Sequence, residues 1–191
     1  MKALRAHAIL FAASVGLCCV LYPAALWAFA QTVVPGRADG SLITKADGTV
    51  VGSSLIGQAF TGKKWFQPRP SAADYDGLAS GGTNLGPTNP DLIDTVQQRV
   101  KQYRKVNGLS AGTRVPVDAV TSSGSGLDPH ISEANANLQA ARVADARGLS
   151  LKTVKQLIAD NTDEPSLGIF GQPGVNVLQL NLALERASGG S

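Results

Sequence analysis

The sequence predicts an α+β protein, with one N-terminal transmembrane helix followed by a single compact domain holding a small sheet and about three to four helices. Three observations carry that prediction. Ala8 to Ala30 is an uncharged run of 23 residues. Asp47-Gly48 sits between two β-prone runs, a strong hairpin signal because both central residues tolerate positive φ. Three later stretches pair a capping residue with apolar spacing of three and four, the mark of amphipathic helices.

At about 1.5 Å per residue, a helix over 8–30 spans roughly 35 Å, enough for a hydrocarbon core of roughly 30 Å. Lys2 and Arg5 precede the run, and the flank after it is mixed. The positive-inside bias therefore predicts residues 1–7 in the cytoplasm, 8–30 across the inner (plasma) membrane, and 31–191 as an extracytoplasmic, periplasmic domain. Tyr22 lies toward the far interface, Pro23 removes one helix hydrogen bond, and Gly16 is small enough to let a neighbouring helix approach. These three are the predicted membrane-packing residues. Ala28-Phe29-Ala30 also fits a signal-peptide cleavage site, but the apolar run exceeds an ordinary h-region, which favours a retained span.

Removing Lys2 and Arg5 leaves 15 basic residues against 14 acidic ones, so the domain has no electrostatic footprint for nucleic acid. Both cysteines, Cys18 and Cys19, fall inside the span, and His130 is the domain's one histidine. No disulfide and no metal site is expected there.

Along the domain, residues 31–40 read as a polar tether. In the hairpin, Leu42, Ile43, Val50 and Val51 are expected to be buried, followed by a strand or turn that packs Leu55, Ile56 and Phe60. Residues 61–90 are dense in turn residues yet contain Trp65, Phe66, Tyr75 and Leu78, so an ordered loop or a partner-contacting surface is expected. Its contact candidates are Trp65, Phe66, Gln67, Arg69, Pro70, Tyr75, Asn84 and Asn89. Asn89-Pro90 opens a helix ending at Gly108, with Leu92, Val96, Val100 and Tyr103 facing inward and Arg99, Lys101, Arg104 and Lys105 solvated. A second helix is expected from Ser132 to about Arg147 with Leu138, Ala141 and Val143 inward, and a third from Ser150 through Leu151, Val154, Leu157 and Ile158. Residues 161–174 read as a loop, and 175–185 as strand then helix.

The segment Ser122 to His130 tempts as chemistry. Its Gly124 and Gly126 lack the lysine of a phosphate loop, and Ser125 lacks the glycine two positions earlier that a nucleophile elbow requires. Ser125, Asp128 and His130 could form a triad only if the fold brings them together. The favoured reading is a tight turn in which Ser123, Ser125 and Asp128 bond backbone and Pro129 fixes the exit. A membrane-anchored extracytoplasmic hydrolase using Ser125, Asp128 and His130 is the alternative.

Several blocks carry a resemblance: Tyr22-Pro23 within the span, Gly52-Ser-Ser-Leu-Ile-Gly-Gln58, Trp65-Phe-Gln-Pro-Arg-Pro-Ser71, Ser80-Gly-Gly-Thr-Asn-Leu-Gly-Pro-Thr-Asn-Pro90, Thr121 to Ser132, and Val175-Asn-Val-Leu178. In that order they resemble the C subunit of the Kdp potassium-transporting P-type ATPase. The resemblance makes Ser123, Gly124, Ser125, Gly126, Asp128, Pro129 and His130 a signature loop without catalytic residues. It implies a non-catalytic subunit of a complex in which one partner hydrolyses ATP and a channel-like partner passes potassium. The family is described as a catalytic chaperone that raises the ATP affinity of the hydrolysing subunit, and a nucleotide-binding label follows from that. Because ATP is cytoplasmic and the domain is predicted outside, no cofactor is expected to bind it directly. ATP and K+ are then handled by the complex, with the domain over the channel-like subunit's entrance.

Overall fold

A computed structural model of the chain describes residues 1–45 and 48–189. Two compact units result, Met1–Ser53 and Ser54–Ser191.

The first unit is one long apolar helix and a hairpin. The helix runs Lys2–Val33, wider than the predicted 8–30, and is long and apolar enough to cross a membrane. It consists of α1 (Lys2–Val15), a π-helical turn (Gly16–Leu21) and α2 (Tyr22–Val33). Pro23 explains the middle piece. Its ring would clash with the carbonyl four residues back, and a wider turn just ahead of it relieves that contact. The Tyr22 N–H accordingly donates five residues back, to Leu17 O. The predicted tether is partly helical: Thr32 Oγ caps back onto Ala28 O at 2.9 Å, and α3 (Pro35–Ala38) follows. Strands β1 (Leu42–Thr44) and β2 (Val50–Ser53) pair antiparallel, as the hairpin prediction required. Gly48 has φ +82, whereas Asp47 lies outside the described residues. Leu42 and Val50 are exposed and only Ile43 and Val51 are half-buried, correcting the expectation that all four turn inward. Consecutive strand residues point to opposite faces, so adjacent pairs cannot share one.

The second unit begins in a turn, not a strand. Leu55 and Ile56 are exposed, and Phe60 alone of the three packs on the core. Helix α4 (Pro90–Val106) starts as its sequence dictates, with Asn89 Oδ1 accepting from the Asp91 N–H at 2.8 Å and Pro90 in the first turn. Leu92, Val96, Val100 and Tyr103 do turn inward. The basic face is mixed: Lys101 and Lys105 are exposed, whereas Arg99 donates to Val120 O and Arg104 to Thr113 O, each half-buried.

Next come β3 (His130–Ile131), α5 (Glu133–Arg147) and α6 (Leu151–Asp160). Ser132 and Ser150 cap the two helices through the N–H groups of Asn135 and Thr153. Gly148, at φ +66, ends α5 in the left-handed conformation. Within the segment read as a loop, Thr162–Asp163 forms β4; after a turn, β5 (Gly174–Asn176) leads directly into α7 (Val177–Gly189), the strand then helix expected from Val175. The sheet order is β3-β5-β4, all antiparallel. The core lies where β5, α5, α6 and α7 meet: Phe66, Ile131, Val143, Val154, Val175, Leu180 and Leu184 are all at most 2% exposed.

Candidate functional site

The Ser123–His130 segment is a chain of local turns. Ser125 Oγ accepts from the Leu127 N–H at 3.1 Å and lies 3.5 Å from Ser123 Oγ. Gly126 takes φ +70, and Asp128 Oδ1 accepts from the His130 N–H at 3.0 Å. These short side chains satisfy backbone donors that the turn would otherwise leave open.

Distant blocks of sequence converge on these turns. Gly57 N–H donates to Leu127 O at 2.7 Å, Gly81 N–H to Ser125 O at 2.8 Å, and Val177 N–H to Pro129 O at 3.0 Å. Ser71 Oγ donates to Gly126 O at 2.7 Å, and Ser80 Oγ to Ser125 O at 3.1 Å. A β-carbon on Gly57 would lie 2.7 Å from Asp128 O, and one on Gly82 would lie 3.2 Å from Gly124 O. Gly57 and Gly82 are therefore small because another backbone passes against them.

Charge is arranged in a line. Arg69 Nη1 donates to Asp128 Oδ2 at 2.9 Å, Asp128 Oδ1 is 3.6 Å from His130 Nδ1, and His130 Nε2 bonds Asp163 Oδ2 at 2.8 Å. With a carboxylate as acceptor, Nε2 carries the proton. Burial alone would push the Asp128 carboxyl up, but hydrogen bonds from His130 and Arg69 outweigh it and hold the group below its ordinary range. For His130 the contact with Asp128 does most to raise the pKa, burial opposes it, and Asp163 adds to the rise. The line borders a cleft of about 600 Å³ that also includes Asp118, Ser132, Glu164 and Phe170 in its wall.

A pH dependence follows. His130 is raised, so its contribution to stability is fully present below its unfolded value of about 6.5 and is lost as pH rises through the higher folded value. Asp128 is lowered, so its contribution is present above about 3.9 and is lost as pH falls through the folded value. Asp163 is well exposed, which limits the His130–Asp163 contribution to about 0.5–1 kcal/mol. Asp163→Asn is expected to destabilise by that amount at pH 5.5 and by much less at pH 8.5, measured by denaturant unfolding. An equal loss at both values would contradict this account.

The triad of the hydrolase alternative does not assemble. Asp128 and His130 are neighbours, but the Ser125 hydroxyl is engaged by Leu127 and Ser123, and Ser125 does not line the cleft. What remains is a brace of alternating charges, Arg69, Asp128, His130 and Asp163.

The other anticipated residues separate by burial. Phe66 is fully buried, which corrects its reading as a partner contact: its ring is core, and its backbone N–H and O both bond Asn181. Gln67 is tied through its backbone to Gln139. Trp65 is half-buried, 5.7 Å from the Phe60 ring and 4.4 Å from the Arg147 guanidinium. Tyr75 donates to Arg69 O, and burial pushes its phenol up to about 12. Pro70 is half-buried, Asn84 is exposed, and Asn89 is the helix cap. In the long helix Tyr22 is exposed, and Gly16 begins the π-helical turn.

Sequence reasoning missed the buried polar face of α5. Asn135, Gln139 and Arg142 are buried, whereas Ala141, expected inside, is exposed. Arg142 donates from Nη1 to the carbonyls of Gly62, Lys63 and Trp65, from Nε to Asn107 Oδ1 at 2.8 Å, and from Nη2 to Gln139 Oε1 at 2.8 Å. The available signal was Ala136, Ala140, Val143 and Ala144 at helical spacing, which places positions 139 and 142 beside them.

The sequence matches the family described as KdpC, the K+-transporting ATPase c chain, over residues 4–186. A potassium-transporting ATPase KdpC subunit of Mycobacterium tuberculosis is 54% identical over 169 residues, covering 87% of this chain and 89% of its own. Its counterpart from Rhodospirillum rubrum is 51% identical over 187 residues, covering 97% and 96%. One from Cereibacter sphaeroides is 52% identical over 168 residues, 88% of each. The chain therefore belongs to the KdpC family, the c chain of the K+-transporting ATPase.

Proposed function

We propose that the chain is a non-catalytic, single-pass subunit of a high-affinity, ATP-driven potassium uptake complex, needed for assembly and for coupling ATP turnover to transport. The observation that carries this is the convergence of the 52–58, 65–71, 80–90 and 175–178 blocks onto the 123–130 turns, which leaves a braced loop. A segment this heavily cross-tied fits a surface that must hold its shape against another protein. The partners are a channel-like potassium-binding subunit and a P-type subunit that hydrolyses ATP. Lys2 and Arg5 favour a cytoplasmic N-terminus and an extracytoplasmic domain over the channel-like partner's entrance. From that side the chain acts on ATP affinity through the complex, not through a nucleotide site of its own. Trp65, Arg69, Pro70, Tyr75 and Asn84 stay within the proposed contact surface, and Gly16, Tyr22 and Pro23 within the proposed helix-packing surface.

Two measurements test this. Gentle solubilisation should recover the chain with a P-type ATPase in fixed stoichiometry, and deletion of the chain should abolish growth at limiting potassium. A reporter active only outside the cytoplasm, fused after Ser191, should be active. A monomer without effect on potassium-limited growth would end the subunit reading, and a silent reporter would reverse the orientation.

A further inference from the structure

The turn between β4 and β5 breaks the usual rules for a hairpin tip. It closes through the Ser166 N–H to Phe170 O at 2.8 Å, the Phe170 N–H to Ser166 O at 2.9 Å and the Gly168 N–H to Pro165 O at 2.9 Å. Its central residues, Leu167 and Gly168, have φ +56 and +77. Asn-Gly or Asp-Gly suits such a pair; a leucine there suits neither the backbone nor the solvent. Leu167, Ile169 and Phe170 are nonetheless 89%, 76% and 63% exposed. Three large apolar side chains on an ordered tip are a conflict between local rules and exposure, the kind that function sustains.

The base of the hairpin is anchored to the neighbouring strand. Gly174, in the central strand, lies directly under the His130 ring, where a β-carbon would sit 3.1 Å from His130 Cβ. That gap lets His130 cross the strand and bond Asp163 at the base of the hairpin. A pre-set tip loses little freedom on binding.

Charge decides what covers it. No lysine or arginine occurs between Lys155 and Arg186, while Asp160, Asp163 (bonded to His130) and exposed Glu164 precede the tip in sequence. Anionic lipid headgroups would be repelled, and the tip lacks the tryptophan and lysine that membrane-surface elements use. Resting on the subunit reading above, we propose that the Leu167–Phe170 tip is a plug that inserts into an apolar socket rimmed by lysine or arginine on another protein subunit of the same potassium-transporting complex.

The test uses the full chain co-expressed with the other subunits in membranes. A benzophenone amino acid in place of Ile169 should, on irradiation, crosslink to a tagged subunit of the complex. The Leu167→Ser, Ile169→Ser, Phe170→Ser triple variant should lower co-purified partner at least tenfold at unchanged Tm, since these side chains are exposed. Glu164→Lys should lower it less but measurably. Crosslinks to lipid alone, no crosslink in an intact complex, or wild-type recovery with the triple variant would overturn the plug while leaving the subunit reading standing. Failure of the wild-type chain to recover any partner would overturn both.

Discussion

Arg142→Met is expected to lower the unfolding free energy by about 3 kcal/mol. Arg142 is 8% exposed, no carboxylate pairs with its guanidinium among the described residues, and burial lowers its pKa. Removing the charge would recover some desolvation energy, which argues for a mild effect. Against that stand five acceptors that lose a donor. Asn107 Oδ1 is buried and costs about 1–3 kcal/mol when left open, whereas Gln139 Oε1 keeps the Gln67 N–H at 2.8 Å and loses one of two donors. Gly62 and Lys63 are exposed and their carbonyls can turn to water, but the half-buried Trp65 carbonyl adjoins Phe66, and freeing it disturbs the core. Unpaired acceptors win. Denaturant unfolding of the detergent-solubilised chain should show the loss, with Tm lower by about 10 °C. Arg142→Lys should fall between, because one ammonium cannot span the fork. A change below about 1 kcal/mol would contradict the clamp.

Gly126→Ala is the second large effect. A left-handed φ costs an alanine about 1–2 kcal/mol, and Gly126 holds +70. Its new β-carbon would also lie 2.8 Å from Gly81 O and 3.1 Å from Ala73 Cβ, so a backbone must shift, adding about 1–3 kcal/mol. The expected total is about 3 kcal/mol. Gly124→Ala is the control. Nothing lies within 4 Å of its added carbon and its φ is not positive, so it should cost less than about 1 kcal/mol. Equal losses at the two positions, measured by the same unfolding experiment, would show that loop mobility rather than close packing sets the cost.

The two glycines mark how far the sequence could be read. Both were visible as turn residues, but only the fold separates the one under Gly81 from the one facing open space. Burial shows the same limit. Tyr103 was placed inward by spacing from Leu92, Val96 and Val100, because an apolar stripe has one sensible direction. Asn135, Gln139 and Arg142 form an equally regular stripe at steps of four and three, yet polar residues at helical spacing read as a solvated face. The burial of Gln139 and Arg142 depends on backbone groups of the 62–67 loop, more than seventy residues away in sequence, and no local pattern encodes that. In the 61–90 loop, Phe66 and Leu78 looked alike as packing groups, but one is fully buried and the other 99% exposed.

What the sequence determined by itself is whatever rests on neighbours along the chain. Asn89 and Pro90, Ser132, Ser150 and Gly148 set helix ends through hydrogen bonds and backbone preferences that span four residues or fewer. An uncharged run long enough to cross a bilayer, and blocks dense enough to reveal the family, are equally linear properties. Tertiary structure alone decided the site. It engaged Ser125 Oγ with the Leu127 N–H, joined His130 to Asp163 across Gly174, and paired the ends of the 161–174 segment into an anchored hairpin with an apolar tip. These outcomes depend on which strand lies beside which, and strand pairing is settled by burial of the whole core rather than by any short stretch of residues.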